Sequence, residues 1–480
     1  MSSQATMASI ALRCLGKTRP TPFSARIAPV LTPILSTTVI ATPNNAAASF
    51  STSTRLENQK GKHIVKGKAK KNYKKKKGAL VRAKTPAPGE RKAFRKRIQL
   101  SNNNAIAVTG LGDLAPESMA SDEAHGRVLG VPDSVIDQLR AVEAFRPTQS
   151  WGFFKRPHVL VRSETVELAK MMESAKKDKN VLKLIVNGGR ATGKSTLLLQ
   201  AMAHGFLNKW VVINIPEAFQ LVNAHTDYAP VPDTDPLQFC QPSYSLKLLQ
   251  AISKANDAVL RTLPVTKDYS NVTYLAHLGP NPTLGDLAAS CRELEFAWPT
   301  LSALWTELTT VRGRPPILFT LDGLGFVMRD SAYRDPSFNL VHAHELTTVR
   351  LFTDAISGKT AFPNGAAIIG SCGGNDNVKL PSLDLILSQL KAGAEGKEIP
   401  KPNPYERGYD DRVFDVLKDT RLLSVEGISK DEARSIMEYW AASGAFLEAV
   451  TEPAVSSKWT LSGHGVLGEM ERVTLRSMRG

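Results

Sequence analysis

The sequence predicts an α/β fold, a parallel sheet flanked by helices, on three observations. The first is the stretch from Val181 to Leu199, which reads strand, loop, helix. Val181, Leu182, Leu184, Ile185 and Val186 form a short apolar run, Gly188 to Ser195 form the loop, and Thr196 to Gln200 opens a helix. Short continuous apolar runs of this kind fill central parallel strands. The second is Trp210-Val211-Val212-Ile213-Asn214-Ile215, another buried strand, ending at Pro216. The third is Pro316 to Gly323, an apolar strand that ends in Asp322. The loop fits G-x-x-x-x-G-K-[ST] at every position. With the strand and helix that this motif requires on either side of it, the fold class is a P-loop NTPase sheet of the AAA/STAND-like kind.

Each loop residue has a chemical reason. Gly188 and Gly193 let the backbone approach an anion with no side chain in the way. The amides of Gly189, Arg190, Ala191, Thr192, Gly193, Lys194 and Ser195 can converge on phosphate oxygens, with Thr196 in the first turn of a helix whose positive end faces the same anion. Lys194 is suited to bridge the outer phosphates, and the Ser195 hydroxyl to ligate Mg²⁺. The plain alternative is a glycine-rich turn with an accidental Lys-Ser. Asp322 stands where such folds put their second Mg²⁺ carboxylate, usually through water; its plain alternative is an ordinary Asp-Gly turn. An ATPase often places Glu next, to orient water. Gly323 follows here, which leaves that position without a general base. Tight binding of Mg²⁺-nucleotide with little turnover is the expectation.

The chain of 480 residues has room for up to about three domains. Its formal charge of +16 is unevenly placed. From Met1 to Gln59 there are five Lys or Arg against Glu57, and from Lys60 to Arg97 there are 17 against Glu90. Ile98 to Gly480 holds 39 basic and 43 acidic residues, a mildly acidic body. Residues 1–52, free of Asp and Glu and rich in Ser, Thr and Ala, have the composition of a mitochondrial transit peptide, and a disordered tail is the plain reading. Residues 53–100 read as a basic disordered extension, including Lys74-Lys75-Lys76-Lys77. Such a tract suits a polyanion, RNA above all, without sequence specificity. Cys14, Cys240, Cys291 and Cys372 lie far apart with no zinc spacing. No apolar run approaches the roughly 18 residues of a membrane span.

Residues 101–150 read as a connecting segment, with a helix from Pro132-Asp133-Ser134 carrying Val135, Leu139 and Val142. Residues 151–390 are taken as the nucleotide-binding domain. Trp151 to Pro157 is an aromatic cluster from which Phe153 or Arg156 is a weak candidate for the base, the ordinary reading being core. A helix follows from about Thr165 to Lys176. Asp227 to Pro242 is a Pro-rich excursion. Tyr244 to Leu260 and Leu284 to Leu308 are helical in pattern, with Pro299 starting a second helix in the latter. His342 and His344 read as surface groups rather than ligands. Ala366 to Ser371 is a further strand, whose end offers Ser371, Asn375 and Asp376 as sensors of the outer phosphate, a turn being the alternative. Glu217 is a possible substitute base. Residues 391–480 read as a separate, mainly helical, winged-helix-like module behind a linker from Lys391 to Pro404, with helices at Asp411–Leu417 and from Lys430 to Trp440, the second opening at Ser429.

With these residues in view, the chain resembles the death-associated protein 3 family, P-loop GTP-binding proteins of the mitochondrial small ribosomal subunit. The resemblance runs from about Trp151 to Phe446. It rests on Gly-Arg-Ala-Thr-Gly-Lys-Ser-Thr, on Trp210 leading into Ile-Asn-Ile-Pro, and on Phe239-Cys240-Gln241-Pro242 with Asn256 in the next helix. Leu321-Asp322-Gly323 and Glu438-Tyr439-Trp440 with Gly444 complete it. It implies a place at the head of the small subunit, ribosomal RNA and ribosomal proteins as partners, contact toward the large subunit, and bound GTP or GDP. It also implies a link to apoptosis signalling. No N-K-x-D motif is present, so ATP stays open beside the guanine nucleotides. A matrix AAA-like ATPase and a nucleotide-switched scaffold are the competing readings.

Overall fold

The computed structural model describes residues 98–232, 234–269, 281–373 and 380–476. The expected leader, nearly all of the basic extension, Asn375 and Asp376 lie outside the described residues.

In chain order, β1 (Val128–Gly130) and β2 (His158–Leu160) pair antiparallel ahead of the main sheet. β3 (Val181–Gly188) and β4 (Val211–Ile215) belong to the main sheet, and β5 (Ala229–Val231) and β6 (Gln238–Cys240) form a small hairpin. β7 (Ile317–Asp322) returns to the sheet, β8 (Asp330–Arg334) and β9 (Leu340–His342) make another hairpin, and β10 (Ala366–Ser371) and β11 (Arg421–Val425) complete the sheet. Its order is β11-β3-β10-β7-β4, with every neighbouring pair parallel. Parallel neighbours need long crossovers, and helices supply them. Side chains alternate across the sheet. Ile185, Ile213, Phe319 and Ile368 face one core, with Leu248, Leu304 and Phe352 from helices Pro242–Ala255, Ala297–Thr310 and Thr347–Ser357. Leu184, Val186, Val212, Leu318 and Ile369 face the other, against Met172 and Leu198 from helices Ser163–Asp178 and Lys194–Leu207.

Three expectations change. Residues 101–150 do more than connect: Leu114, Met119, Leu129, Val135 and Leu139 are buried in the same core as β3 and the helix that follows the loop. The boundary expected at residue 391 falls inside the sheet domain. The helix Pro381–Ala394 spans it, and β11 lies beyond it as the edge strand next to β3. His342 and His344 are buried, with relative exposures of 2% and 6%: the turn Ala343–Glu345 after the β8–β9 hairpin packs against the helix Thr347–Ser357, which packs against the helix Asp411–Leu417, and His342 reaches the flanking Asp410. Beyond β11 the described chain is helical. Helices Lys430–Ala442, Glu452–Leu461 and Leu467–Glu471 gather Ile436, Met437, Trp440, Val455 and Met470 into a small core with Phe154 and Leu160. Ser429 caps the first of them, accepting from the Glu432 amide at 3.2 Å while Glu432 Oε2 accepts from the Ser429 amide at 2.8 Å. Among the described residues no strand follows Val425, so the wing of a winged-helix module has no counterpart there. None of the described helices is long and apolar enough to cross a membrane.

The buried histidines set a pH dependence. Burial pushes His158 down to about 3, His204 to about 4 and His344 to about 3. An unfolded histidine titrates near 6.5, so between pH 6.5 and about 4 the unfolded chain binds more protons than the folded one. Stability is therefore full above pH 6.5 and falls as pH drops, by about 1.4 kcal/mol per pH unit for each such histidine. Denaturant midpoints measured at pH 7.5, 6.5, 5.5 and 4.5 are expected to show no slope from this source in the first interval and a steep one in the last two. His158→Gln, which replaces the ring packed against Phe154 and Tyr439, should make the slope shallower by the share of one histidine, about 1.4 kcal/mol per pH unit; an unchanged slope would remove His158 from the account.

Candidate functional site

The loop Gly188–Ser195 sits at the carboxyl end of β3, where parallel sheets bind ligands. Gly188 pairs with Val425 of β11, and a Cβ on it would lie 2.2 Å from the Val425 carbonyl oxygen. Gly189, Arg190 and Ala191 form an exposed rim, and Thr192 and Lys194 are buried. Ala191 has φ +61, a left-handed conformation, and its carbonyl accepts from the Gly468 amide at 2.9 Å, so the C-terminal helices rest on the crest of the loop. Gly193, with φ +104, caps the helix Lys194–Leu207. The amides of Lys194, Ser195 and Thr196 stand in its first turn, where they have no carbonyl four residues back within the helix.

Arg162 fastens the loop from below. Its Nη1 donates to Thr192 O at 2.9 Å, and its Nη2 to Glu426 O and Glu164 Oε1, both at 2.8 Å. Its Nε is buried with no hydrogen-bond partner. Lys194 Nζ donates to the carbonyls of Gly188 at 2.8 Å and Gly189 at 2.5 Å, and the Thr192 hydroxyl to Gly189 O at 3.1 Å.

Across from the loop, Asp322 ends β7 and faces Ser371 at the end of β10 in register. The Ser195 hydroxyl donates to Asp322 Oδ2 at 2.7 Å, and the Ser371 hydroxyl to Oδ1 at 2.5 Å. The sheet therefore brings Gly188–Ser195, Thr196, Asp322 and Ser371 into one place. Gly323 has φ +93, and a side chain there would be strained. Glu217 is exposed and accepts from Gln220 at 2.5 Å. Arg156 pairs with Asp113 at 2.7 Å, and Trp151 and Phe154 are buried.

Two residues of this site escaped the sequence reading. One is Arg162. The other is Arg146, whose Nη2 reaches Asp322 Oδ2 at 2.6 Å from the segment expected to be a connector. No local pattern announces either. The nearest signal is Gln149, three residues on, which accepts from the Arg146 amide and from Trp151 Nε1 at 2.7 Å each and donates to Thr196 Oγ1 at 3.3 Å. His342 and His344 lie away from this site, with His342 Nε2 3.4 Å from Asp410 Oδ2 and the two rings edge-on at 4.5 Å. Burial lowers both, to about 3 for His344, where the neighbouring His342 adds to the effect.

As a donor set the site suits phosphate and a hard divalent cation. It offers an exposed rim of loop backbone, a lysine ammonium folded against the loop, and a hydroxyl and a carboxylate 2.7 Å apart. Fold and site together define a parallel α/β protein with a glycine loop at the carboxyl edge of its sheet. The profile of the mitochondrial ribosomal death-associated protein 3 family matches residues 159–473. A Neurospora crassa protein named small ribosomal subunit protein mS29 is 48% identical over 408 residues, covering 84% of this chain and 86% of the relative. A Schizosaccharomyces pombe protein of the same name is 23% identical over 357 residues, covering 72% and 71%. The chain belongs to the mitochondrial ribosomal death-associated protein 3 family. It is a mitochondrial protein.

Proposed function

We propose that the chain is a structural component of the mitochondrial small ribosomal subunit that carries a purine nucleotide, GTP or GDP in preference to ATP, with Mg²⁺. The observation that carries the ribosomal half is the 48% identity to the Neurospora crassa small-subunit protein along most of both chains. The nucleotide half is supported by the meeting of loop, Ser195 and Asp322 at one edge of the sheet. In this reading the amides from Gly189 to Ser195 and the Lys194 ammonium hold the phosphates. Ser195 holds the metal, which offsets phosphate charge when bound, and Asp322 orients its water shell. Gly323 takes the place after Asp322 where such folds often set a base, and in this reading the nucleotide serves as a structural or regulatory cofactor. The basic tract before Ile98 meets ribosomal RNA through its phosphates, ribosomal proteins surround the body, and a contact reaches the large subunit.

Sedimentation of a mitochondrial lysate tests the first half: the chain should travel with the small subunit whether nucleotide is added or removed, and a separate peak of its own would favour an ATPase. Nucleotide extracted from the purified chain tests the second. Lys194→Ala should lower affinity for GDP by about a hundredfold, the size of one or two lost charge-assisted bonds. Equal nucleotide content in the variant and the parent would end the assignment of this loop.

A further inference from the structure

The Asp322 carboxylate already meets a cation of the chain's own. Arg146 Nη2 lies 2.6 Å from Asp322 Oδ2, the same oxygen that accepts from Ser195 at 2.7 Å, and the two side chains are only 20% and 15% exposed. Arg146 is not a loose surface arginine. Its amide is bound by Gln149, whose own amide group reaches Thr196 at the start of the loop helix. Phe145 before it is buried and edge-on to Trp151, with ring centroids 5.6 Å apart. Further back, Asn214 at the end of β4 donates to Val142 O at 2.8 Å. The backbone that carries Arg146 is thus fixed beside the carboxylate by β4, the loop helix and the aromatic cluster together.

From this geometry we infer that Arg146 is an internal counter-cation that competes with a divalent metal for Asp322 and so sets how much Mg²⁺ the site needs to retain a nucleotide. The inference rests on the nucleotide reading above. Oδ2 takes two donors already, and Oδ1 takes Ser371. A small hard cation and its tightly held waters need carboxylate oxygen with lone pairs to spare. Two positive groups at one poorly exposed oxygen also repel. Arg146 must therefore leave Oδ2 before that oxygen can serve the metal shell. The alternative role, a direct contact from Arg146 to phosphate, makes the opposite prediction, because removing it would weaken nucleotide binding.

The full mature chain, its Arg146→Gln and Arg146→Lys variants and Asp322→Asn should be titrated calorimetrically with GDP and with ADP, at Mg²⁺ levels running from chelator to millimolar. Arg146→Gln should reach half-maximal GDP affinity at about tenfold lower Mg²⁺, the scale of one charge-assisted hydrogen bond, with no loss of affinity when Mg²⁺ saturates. Arg146→Lys keeps the charge but not the planar fork, and should shift the midpoint by about threefold. It carries the test alone if the glutamine variant does not fold. Asp322→Asn should respond little to Mg²⁺. An unchanged midpoint in both Arg146 variants overturns the inference while leaving the nucleotide site standing. Weaker binding at saturating Mg²⁺ overturns it in favour of a phosphate contact. A parent chain that binds neither GDP nor ADP at any Mg²⁺ level overturns the site reading, and the inference with it.

Discussion

Glu307→Gln is expected to lower folding stability by about 3–5 kcal/mol, the range for one partner removed from a buried ion pair. Glu307 lies on the helix Ala297–Thr310 with its side chain fully buried, and Arg314 beside it is 4% exposed. Arg314 Nη2 donates to Glu307 Oε2 at 2.5 Å, to Thr266 Oγ1 at 2.9 Å and to Pro264 O at 3.1 Å. The other carboxylate oxygen accepts from the Lys267 amide at 2.7 Å and the Thr266 amide at 3.2 Å. The pair thus ties the segment after the helix Asp257–Leu260 to the end of another helix. Glutamine keeps the shape and supplies one acceptor, but it leaves a guanidinium buried without a counter-charge. Attraction between the two charges is not the main issue, because a buried pair repays its own desolvation only in part. The paired replacement Glu307→Met with Arg314→Met should accordingly cost less than Glu307→Gln alone. Guanidinium unfolding midpoints of the three chains decide it. A double variant as unstable as the single one would mean that the hydrogen bonds to residues 264–267, rather than the unpaired charge, carry the loss.

What the sequence made legible follows from locality. β3, β10 and β7 are the central strands and β4 is an edge strand whose five residues are all buried, and each of the four shows as a short, largely apolar run. The loop is a local motif, and it meets Asp322 and Ser371 because neighbouring parallel strands end at the same edge. β11 gave no such run. As an edge strand it alternates, with Arg421 and Ser424 exposed and Leu423 and Val425 buried, over only five residues. β1 and β2 are three residues each, too short for any period. Arg146 and Asp322 are 176 residues apart, and only the wrapping of residues 98–160 around the sheet brings them together. The two histidines were misplaced by residue type. A polar side chain near a helix start reads as exposed, yet the hairpin before it decides burial.

Gly188→Ala is expected to separate the two reasons a glycine can open this loop. The motif alone says that Gly188 makes room for phosphate, which predicts weaker nucleotide binding and an intact fold. The structure says that the neighbour is protein: the added methyl would lie 2.2 Å from Val425 O and 3.1 Å from Thr192 Oγ1. The first of these is backbone of β11 in register with β3, so no rotamer change relieves it, and the end of the edge strand must move away. Glu426 would move with it, and Glu426 O shares the Arg162 guanidinium with Thr192 O. Overpacking of this kind costs about 1–3 kcal/mol, and more where backbone must shift. The nucleotide-free chain should therefore unfold at lower denaturant, and GDP affinity should fall with it by at least about tenfold as the loop loses its anchor. Gly189→Ala is the control. Its methyl would meet only Thr192 Cγ2 at 3.5 Å, ordinary contact, and the position has no positive φ. That variant should keep its midpoint to within about 0.5 kcal/mol, as surface substitutions do, so any loss of GDP affinity in it belongs to the phosphate rim. If Gly188→Ala keeps the midpoint of the parent while losing GDP, the edge strand does not press on the loop, and the phosphate explanation of Gly188 is the right one.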